Sequence, residues 1–358
     1  MPTRSLTIDG AYGEGGGQLV RTAVALAAIT GARLHLQNIR AGRSPPGLAP
    51  QHLAAVRAVA ALCGARCDGL ELRATDFDFA PVQLIGGNFD FDIGTAGSIP
   101  LVLQALLPVM MHAPEPCTVR IVGGTDVRAA PPIDYFMHVL LPLVARMGLK
   151  AACTVPRRGY YPRGGGEVHL LVATAKLTPL ELTAPGPLLA VGGLAHVANL
   201  AGHIADRMRE AALRLLQDID VPVVIESVLL QDHEAIGHGG AIALWARTQH
   251  SVLGAARVAE RGIPAETLGD SAASDLLADL KSEASLDMHA ADQMLVYAAL
   301  AGPGSAFTAR AISLHAQTAM WLIEQFLPVR FRISDMARLK RIEVISSIRS
   351  DAIQPVEG

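Results

Sequence analysis

Three times along this chain an Ala/Leu/Val-rich run closes on a glycine and passes directly into a β-type run: VALAAITGARLHLQNI, VRAVAALCGARCDGLEL and VLLPLVARMGLKAACTV. A glycine just past an apolar helical stretch stops the helix, because it alone enters the left-handed backbone region without steric cost. The three runs read as copies of one helix-to-strand unit. A second echo pairs GEGGGQ at 13–18 with RGGGEVHL at 163–170. Copies at such irregular spacing exclude a solenoid of fixed short period and predict a pseudo-symmetric α/β core built from one supersecondary unit.

The length of 358 residues, 51% of them hydrophobic and only 4% aromatic, allows one large core or two, assembled mainly from Ala, Leu, Val and Ile. A formal net charge of -3 provides no global attraction for nucleic acid, so a polyanion has to be met by a local arginine cluster. Cys63, Cys67, Cys117 and Cys153 show neither C-x-x-C spacing nor an accompanying histidine pattern, and they read as reduced thiols. MPTRSLTIDG lacks an apolar leader core, and IPLVLQALLPVMMHA is too short and interrupted to span a bilayer. A cytoplasmic protein with no membrane partner is expected.

From about Leu188 the texture changes. LLAVGGLAHVANL reads as a strand and HIADRMREAALRLLQD as an amphipathic helix with Ile204, Met208, Ala211, Ala212 and Leu215 on one face. VPVVIESVLLQ and HGGAIALWARTQ follow as strands, and SAASDLLADLKSEAS as a closing helix. MHAADQMLVYAALAG then resumes the earlier style. The expected division is a core of residues 1–185 and 286–345, an inserted α/β domain at 186–285, and an unpatterned tail at 346–358.

The chemistry concentrates in loops. Asp9 to Arg21, DGAYGEGGGQLVR, packs five glycines around Glu14 and runs into a helix, a place where free N–H groups can hold an anion. Its spacing fits neither Walker A nor the dinucleotide fingerprint. Arg40, Arg43, Arg128, Arg157, Arg158 and Arg163 lie on other Gly/Pro loops, a setting suited to bidentate phosphate contacts. Glu14 beside an anion site implies a divalent ion between the two, with Asp126 and Asp292 as the only further helpers. His315 stands where a β-type run ends and a helix begins; a neutral imidazole there is a competent nucleophile towards phosphorus.

Taken jointly, DGAYGEGGGQLVRTA, IRAGRSPPGL with QH, GTAGSIPLVLQALLP, GGTDVRAAPPIDY, YYPRGGGEV, ADQMLVYAALAG, SLHAQTA and EQFLPVRF resemble, in order, the RNA 3′-terminal phosphate cyclase family. The resemblance implies an α/β (α+β) fold: three βαβαββ-like repeats, akin to the enolpyruvyl transferases, with a small thioredoxin-like insert. It implies attack by a histidine on the α-phosphorus of ATP, transfer of AMP to an RNA 3′-phosphate, and closure by the adjacent 2′-hydroxyl to a 2′,3′-cyclic phosphate. His315 matches the family's nucleophile and Glu14 its metal ligand, for Mg²⁺ or Mn²⁺. Gln104 and the run His289, Ala290, Ala291, Asp292 and Gln293 match ATP contacts, with Pro131 against the adenine. Arg21, Arg40, Arg43 and Gln51 match the phosphate-handling pocket. Many members carry tyrosine at 289 and leucine at 290, so adenine stacking is expected to differ here. Retention of His315 and Glu14 separates this chain from the non-catalytic ribosome-assembly branch. A non-catalytic RNA-binding or ribosome-assembly member of the same fold, against which His315 counts, and a small-molecule transferase of the enolpyruvyl type are the two other readings, and the oligomeric state is left open.

Overall fold

The computed structural model describes residues 4–347. The expected tail falls outside the described residues from 348 onwards. Ser5–Asp9, helix Gly17–Thr30, Arg33–Gln37, helix Pro50–Cys63, Arg66–Asp68 and Phe77–Ala80 make one βαβαββ unit. Its first two strands pair in parallel, the fourth pairs antiparallel with the second, and the third closes the edge.

The same order returns with Gly87–Asp92, helix Ile99–Met110, Cys117–Gly123, the helical segment from Ile133 to Ala145, Ala151–Gly159 and Gly166–Val172. It returns again with Glu181–Leu182, helix Met288–Ala301, Ala306–Ala309, helix Leu314–Phe326, Val329–Met336 and Leu339–Ser346. Three identical topologies, each a parallel pair followed by an antiparallel pair, produce the pseudo-symmetry.

The glycine-closed runs are not three copies of one position. VALAAITG ends the first helix of its unit, whereas VRAVAALCG and VLLPLVARMG end the second helix of theirs. Gly31 at φ 72°, Gly64 at φ 57° and Gly148 at φ 109° are all left-handed, so the glycine marks a helix end rather than a place in the repeat. The two GGG segments also differ: one leads from strand to helix, the other turns a hairpin between Ala151–Gly159 and Gly166–Val172.

A large apolar cluster runs through the three units, with few aromatic rings and many alanines at helix contacts, including Ala23, Ala27, Ala55, Ala58, Ala105 and Ala298. No helix among the described residues is long and apolar enough to cross a membrane. All four cysteines are free, and burial pushes the Cys63 and Cys153 thiols up to about 12, which keeps them protonated and unreactive.

Between Glu181–Leu182 and Met288–Ala301 the third unit is interrupted. Leu188–Ala198, helix His203–Leu215, Val223–Leu230, Gly239–Thr248, Val252–Val258 and helix Ala265–Ser282 form a separate four-stranded sheet with two helices. They share their own apolar cluster, including Val191, Met208, Ile242, Leu253 and Leu276. Gly269 lets the two helices touch, since a Cβ there would meet the Met208 carbonyl oxygen at 2.1 Å. Ala205, Met208, Ala211 and Ala212 form the buried face of the first helix, and Leu215 is 40% exposed.

A buried charge network fastens this inserted sheet to the second unit. Arg158 holds Asp134 in two contacts of 2.6 and 2.8 Å and Asp126 at 3.3 Å, and lies 3.1 Å from His196 on the inserted sheet. Tyr160 reaches the other His196 ring nitrogen at 3.0 Å. Ala235–Ile236 adds to the edge of the second unit's sheet beside Arg158. Neither Arg158 nor Asp126 is therefore available for the phosphate and metal roles that their loops suggest. Asp126, Asp134 and His196 have metal-ligand spacing, but the guanidinium lies among them.

Burial pushes Asp126 and Asp134 up, but Arg158 and the bonds to His196 more than reverse it, leaving both carboxyls below the usual range. Burial and Arg158 push His196 down, and its bonds to Asp126 and Asp134 raise it overall. The aspartates add stability that is present above about pH 4 and lost as pH falls through their lower folded values. The histidine adds stability below about pH 6.5 that is lost as pH rises through its folded value. Arg158→Met leaves two buried carboxylates with only His196 between them as a cationic partner; the expected loss is about 3–5 kcal/mol, with a flatter acid limb in thermal melts recorded across pH.

Candidate active site

The loop Gly10–Gly16 docks on the last long helix. Gly13 at φ 61° and Gly15 at φ 58° give the loop its turn, and a Cβ on Gly13 would meet Thr318 Oγ1 at 2.2 Å. In that close approach the Glu14 backbone N–H donates to Thr318 Oγ1 at 3.1 Å. The helix Leu314–Phe326 is capped by Ser313, whose hydroxyl accepts from the Ala316 N–H at 2.8 Å and donates to Asp292 at 2.7 Å. These contacts fix His315 in the first helical turn, facing the loop.

His315 Nδ1 meets the Glu14 carboxylate and also lies 2.7 Å from Gln18 Oε1. Two oxygen acceptors at Nδ1 hold the ring proton there, which leaves the imidazole lone pair on Nε2. Arg43 donates to the other Glu14 oxygen. One carboxylate, contributed by the first unit, thus joins a histidine of the third unit to an arginine of the following loop.

Arg21 is buried on the helix behind the loop and makes no ion pair among the described residues. Burial lowers it to about 10, with Glu14 acting in the opposite direction, so it remains a cation at neutral pH. Beneath it, burial and then the positive charges of Arg21 and Arg40 push His52 down to about 3, which keeps that imidazole neutral. Gly17 leaves space for the His52 ring, which a Cβ would meet at 2.0 Å. Arg40 is held at φ 53° and donates to the Gly47 carbonyl at 2.7 Å; burial, then Arg43 and Arg73, lower it. Gln51 Oε1 accepts from the Ser98 N–H at 3.3 Å. A concentration of guanidinium charge with a single carboxylate among it is arranged for an anion.

Beside these groups opens a cleft of about 550 Å³. Gln18, Arg21, Gln51, Gln104, Pro131, His289, Asp292, Gln293 and His315 all line it. Gln104 donates to Gln293 at 2.9 Å, and the His289 ring meets Tyr135 edge-on at 6.3 Å. Asp287 caps the His289 helix and accepts from the Tyr135 hydroxyl at 2.6 Å, which sets the angle of that pair. Burial pushes Asp292 up, with Ser313, His315 and His289 pulling it back. Ala290 and Ala291 are buried in the apolar core and present nothing to the cleft. Glu14, Arg40 and Arg43 lie at its margin, around His315 and Gly47, rather than in its lining.

Several lining residues have no signal in the sequence reading. Arg257, Glu260 and Ile263 come from the inserted sheet and its following turn, while His52 and Tyr135 fall within the family-like stretches but carry no assigned role there. Arg128, 81% exposed in its side chain, reaches the insert through Glu260 at 3.3 Å. Among the described residues, Glu14 is the one carboxylate that contacts His315, so a divalent ion at this point fits only with most of its oxygens supplied from elsewhere, as by a polyphosphate and water.

Three α/β units converging on a histidine, a partnerless buried arginine and a deep cleft define an enzyme of the phosphate-handling class. Residues 12–333 match the family described as RNA 3′-terminal phosphate cyclase. The chain is 54% identical to the RNA 3′-terminal phosphate cyclase of Nitrosospira multiformis, over 94% of this chain and 95% of that protein. It is 46% identical to the protein of that name from Hyperthermus butylicus, over 90% and 92% of the two chains, and 42% identical to that from Methanosarcina barkeri, over 95% and 99%. Among solved structures, the enolpyruvyl transferase NikO from Streptomyces tendae aligns with 95% of this chain and 49% of its own at a TM-score of 0.36 and 12% identity. The chain belongs to the RNA 3′-terminal phosphate cyclase family.

Because Arg21 is buried with no ion-pair partner among the described residues, Arg21→Met is expected to keep or raise the melting temperature. Inorganic pyrophosphate is expected to raise the melting temperature of the wild-type protein and not of this variant, as read by thermal shift with and without the anion.

Proposed function

We propose that this protein converts an RNA 3′-terminal phosphate to a 2′,3′-cyclic phosphate at the expense of ATP, through a covalent His315–AMP intermediate. The observation that carries the reading is the placement of His315: its Nδ1 proton is held by Glu14 and Gln18, and its ring lines a cleft shared with Gln104, Pro131, His289 and Gln293. In the first step the Nε2 lone pair forms a bond to the α-phosphorus as the bond to pyrophosphate breaks. Glu14 and Gln18 stabilise the ring as it becomes cationic on phosphorylation. In the second, an oxygen of the RNA 3′-phosphate takes the AMP from Nε2. In the third, the neighbouring 2′-hydroxyl attacks the activated phosphorus, its proton passes to solvent, and AMP leaves.

Gln104 and Gln293 are placed to contact the nucleotide, Pro131 and His289 to flank its base, and Arg21 to hold polyphosphate oxygens. Ala290 and Ala291 contribute by spacing His289 from Asp292 and Gln293. Arg40, Arg43 and Gln51 are assigned to the RNA phosphate. Glu14 would hold Mg²⁺ or Mn²⁺ against the triphosphate; the ion supplies charge neutralisation of the phosphate oxygens. The final closure needs no dedicated base of high strength, since the 2′-hydroxyl is already adjacent to its target. Residues 1–185 and 286–345 form the catalytic core in this reading, with 186–285 as an insert whose Arg257, Glu260 and Ile263 complete one wall of the cleft.

The test is incubation with ATP labelled at the α-phosphate and a divalent metal. Wild type should yield an acid-labile, alkali-stable protein adduct that is discharged by RNA ending in a 3′-phosphate and not by RNA ending in a 3′-hydroxyl. His315→Ala should yield none, and labelling of that variant would refute the assignment. Glu14→Gln, which weakens the hold on Nδ1, should slow adduct formation about 10- to 100-fold in single-turnover measurements.

A further inference from the structure

Outside the nucleotide cleft, on the loop that carries Glu14, Tyr12 lies flat against Trp321 with ring centroids 3.7 Å apart and an interplanar angle of 16°. Trp321 is half-buried and packs on the apolar core, whereas Tyr12 is 43% exposed. The tryptophan thus backs the tyrosine from beneath and holds its ring rigid on a glycine-rich loop. Neither residue lines the cleft. Tyr12 is two positions before Glu14, whose carboxylate touches both His315 and the exposed Arg43. Trp321 is six residues past His315 on the same helix, about 9 Å along its axis. That distance is roughly two to three stacked nucleotides at ~3.4 Å each.

Single-stranded nucleic acid is gripped without sequence preference by aromatic faces next to cations that follow the backbone. A solvent-facing ring stacked on Trp321, on the same loop as the Glu14 carboxylate that Arg43 pairs with, supplies that combination at the margin of the site. We propose that Tyr12, backed by Trp321, is a stacking platform for a base among the last three nucleotides of the RNA, orienting the 3′-phosphate towards His315. The inference rests on the cyclase reading above. It gives the RNA an approach past Tyr12, outside the cleft assigned to ATP.

Steady-state cyclisation of a 3′-phosphorylated single-stranded oligoribonucleotide by the full chain tests it. Tyr12→Ala should raise KM for the oligonucleotide about 5- to 100-fold with KM for ATP unchanged, and Tyr12→Phe should stay within about twofold of wild type. In the wild-type protein, an abasic site at one of the three terminal positions should raise KM by a similar factor, and that penalty should vanish in Tyr12→Ala. An unchanged KM in Tyr12→Ala, or no abasic penalty at any of the three positions in wild type, overturns the platform. Adduct formation with ATP alone, read in parallel, separates the two failures. Absence of the adduct in wild type removes the cyclase reading itself; a normal adduct and cyclisation with an indifferent Tyr12 remove only the platform.

Discussion

The contact on which the site depends is the one between residues 14 and 315. A glycine-rich loop from the first unit can reach the last helix only because Gly13 has no side chain where Thr318 stands. Once seated, the loop is held by the Glu14 N–H on Thr318 and by the carboxylate on His315. The same carboxylate receives Arg43, so a few atoms of one side chain set the tautomer of the histidine and the position of the neighbouring guanidinium. Pseudo-symmetry makes such a junction natural. The loops joining parallel strand to helix in each unit face a common region, so the residues they carry can converge although they are far apart in the chain.

Two buried arginines show how the same residue type serves opposite ends. Arg158 is surrounded by Asp126, Asp134 and His196, and the complete set of partners makes it a fastener between the second unit and the insert. Arg21 is the more deeply buried of the two but makes no ion pair among the described residues, and it lines the cleft. A low-dielectric interior penalises a lone cation, a cost that an anion bound in the cleft would offset in the proposed reading. His52 sharpens the contrast. Held neutral beneath Arg21 and Arg40, it fills space without adding charge of either sign to the anion site.

The insert is more than an appendage in this arrangement. Its sheet has a separate core, yet its Arg257, Glu260 and Ile263 stand on one wall of the cleft, and Arg128 of the second unit reaches across to Glu260. A ligand in the cleft would therefore touch both bodies. The charge network at Arg158 makes their relative placement a property of the fold rather than of the ligand.

The periodic alternation of apolar helix and strand, with glycine at helix ends, already determined an α/β core of repeated units, because left-handed caps and apolar patterning are local. The glycine loop around Glu14 and the helix-initiating position of His315 were legible for the same reason: each is set by neighbours within a few residues. The glycine signal misled where it was asked to number the repeats, since Gly31, Gly64 and Gly148 obey one capping rule at non-equivalent positions. It could not separate Arg158 from Arg21 either, because both are arginines in plausible settings and only their distant partners differ. The insert's cleft residues carry no local mark at all, and His52 and Tyr135 stand in family-like stretches that assign them no role. Which charges are paired and which are left for a ligand is decided by contacts between residues up to 300 positions apart, and that pairing exists only in the tertiary structure.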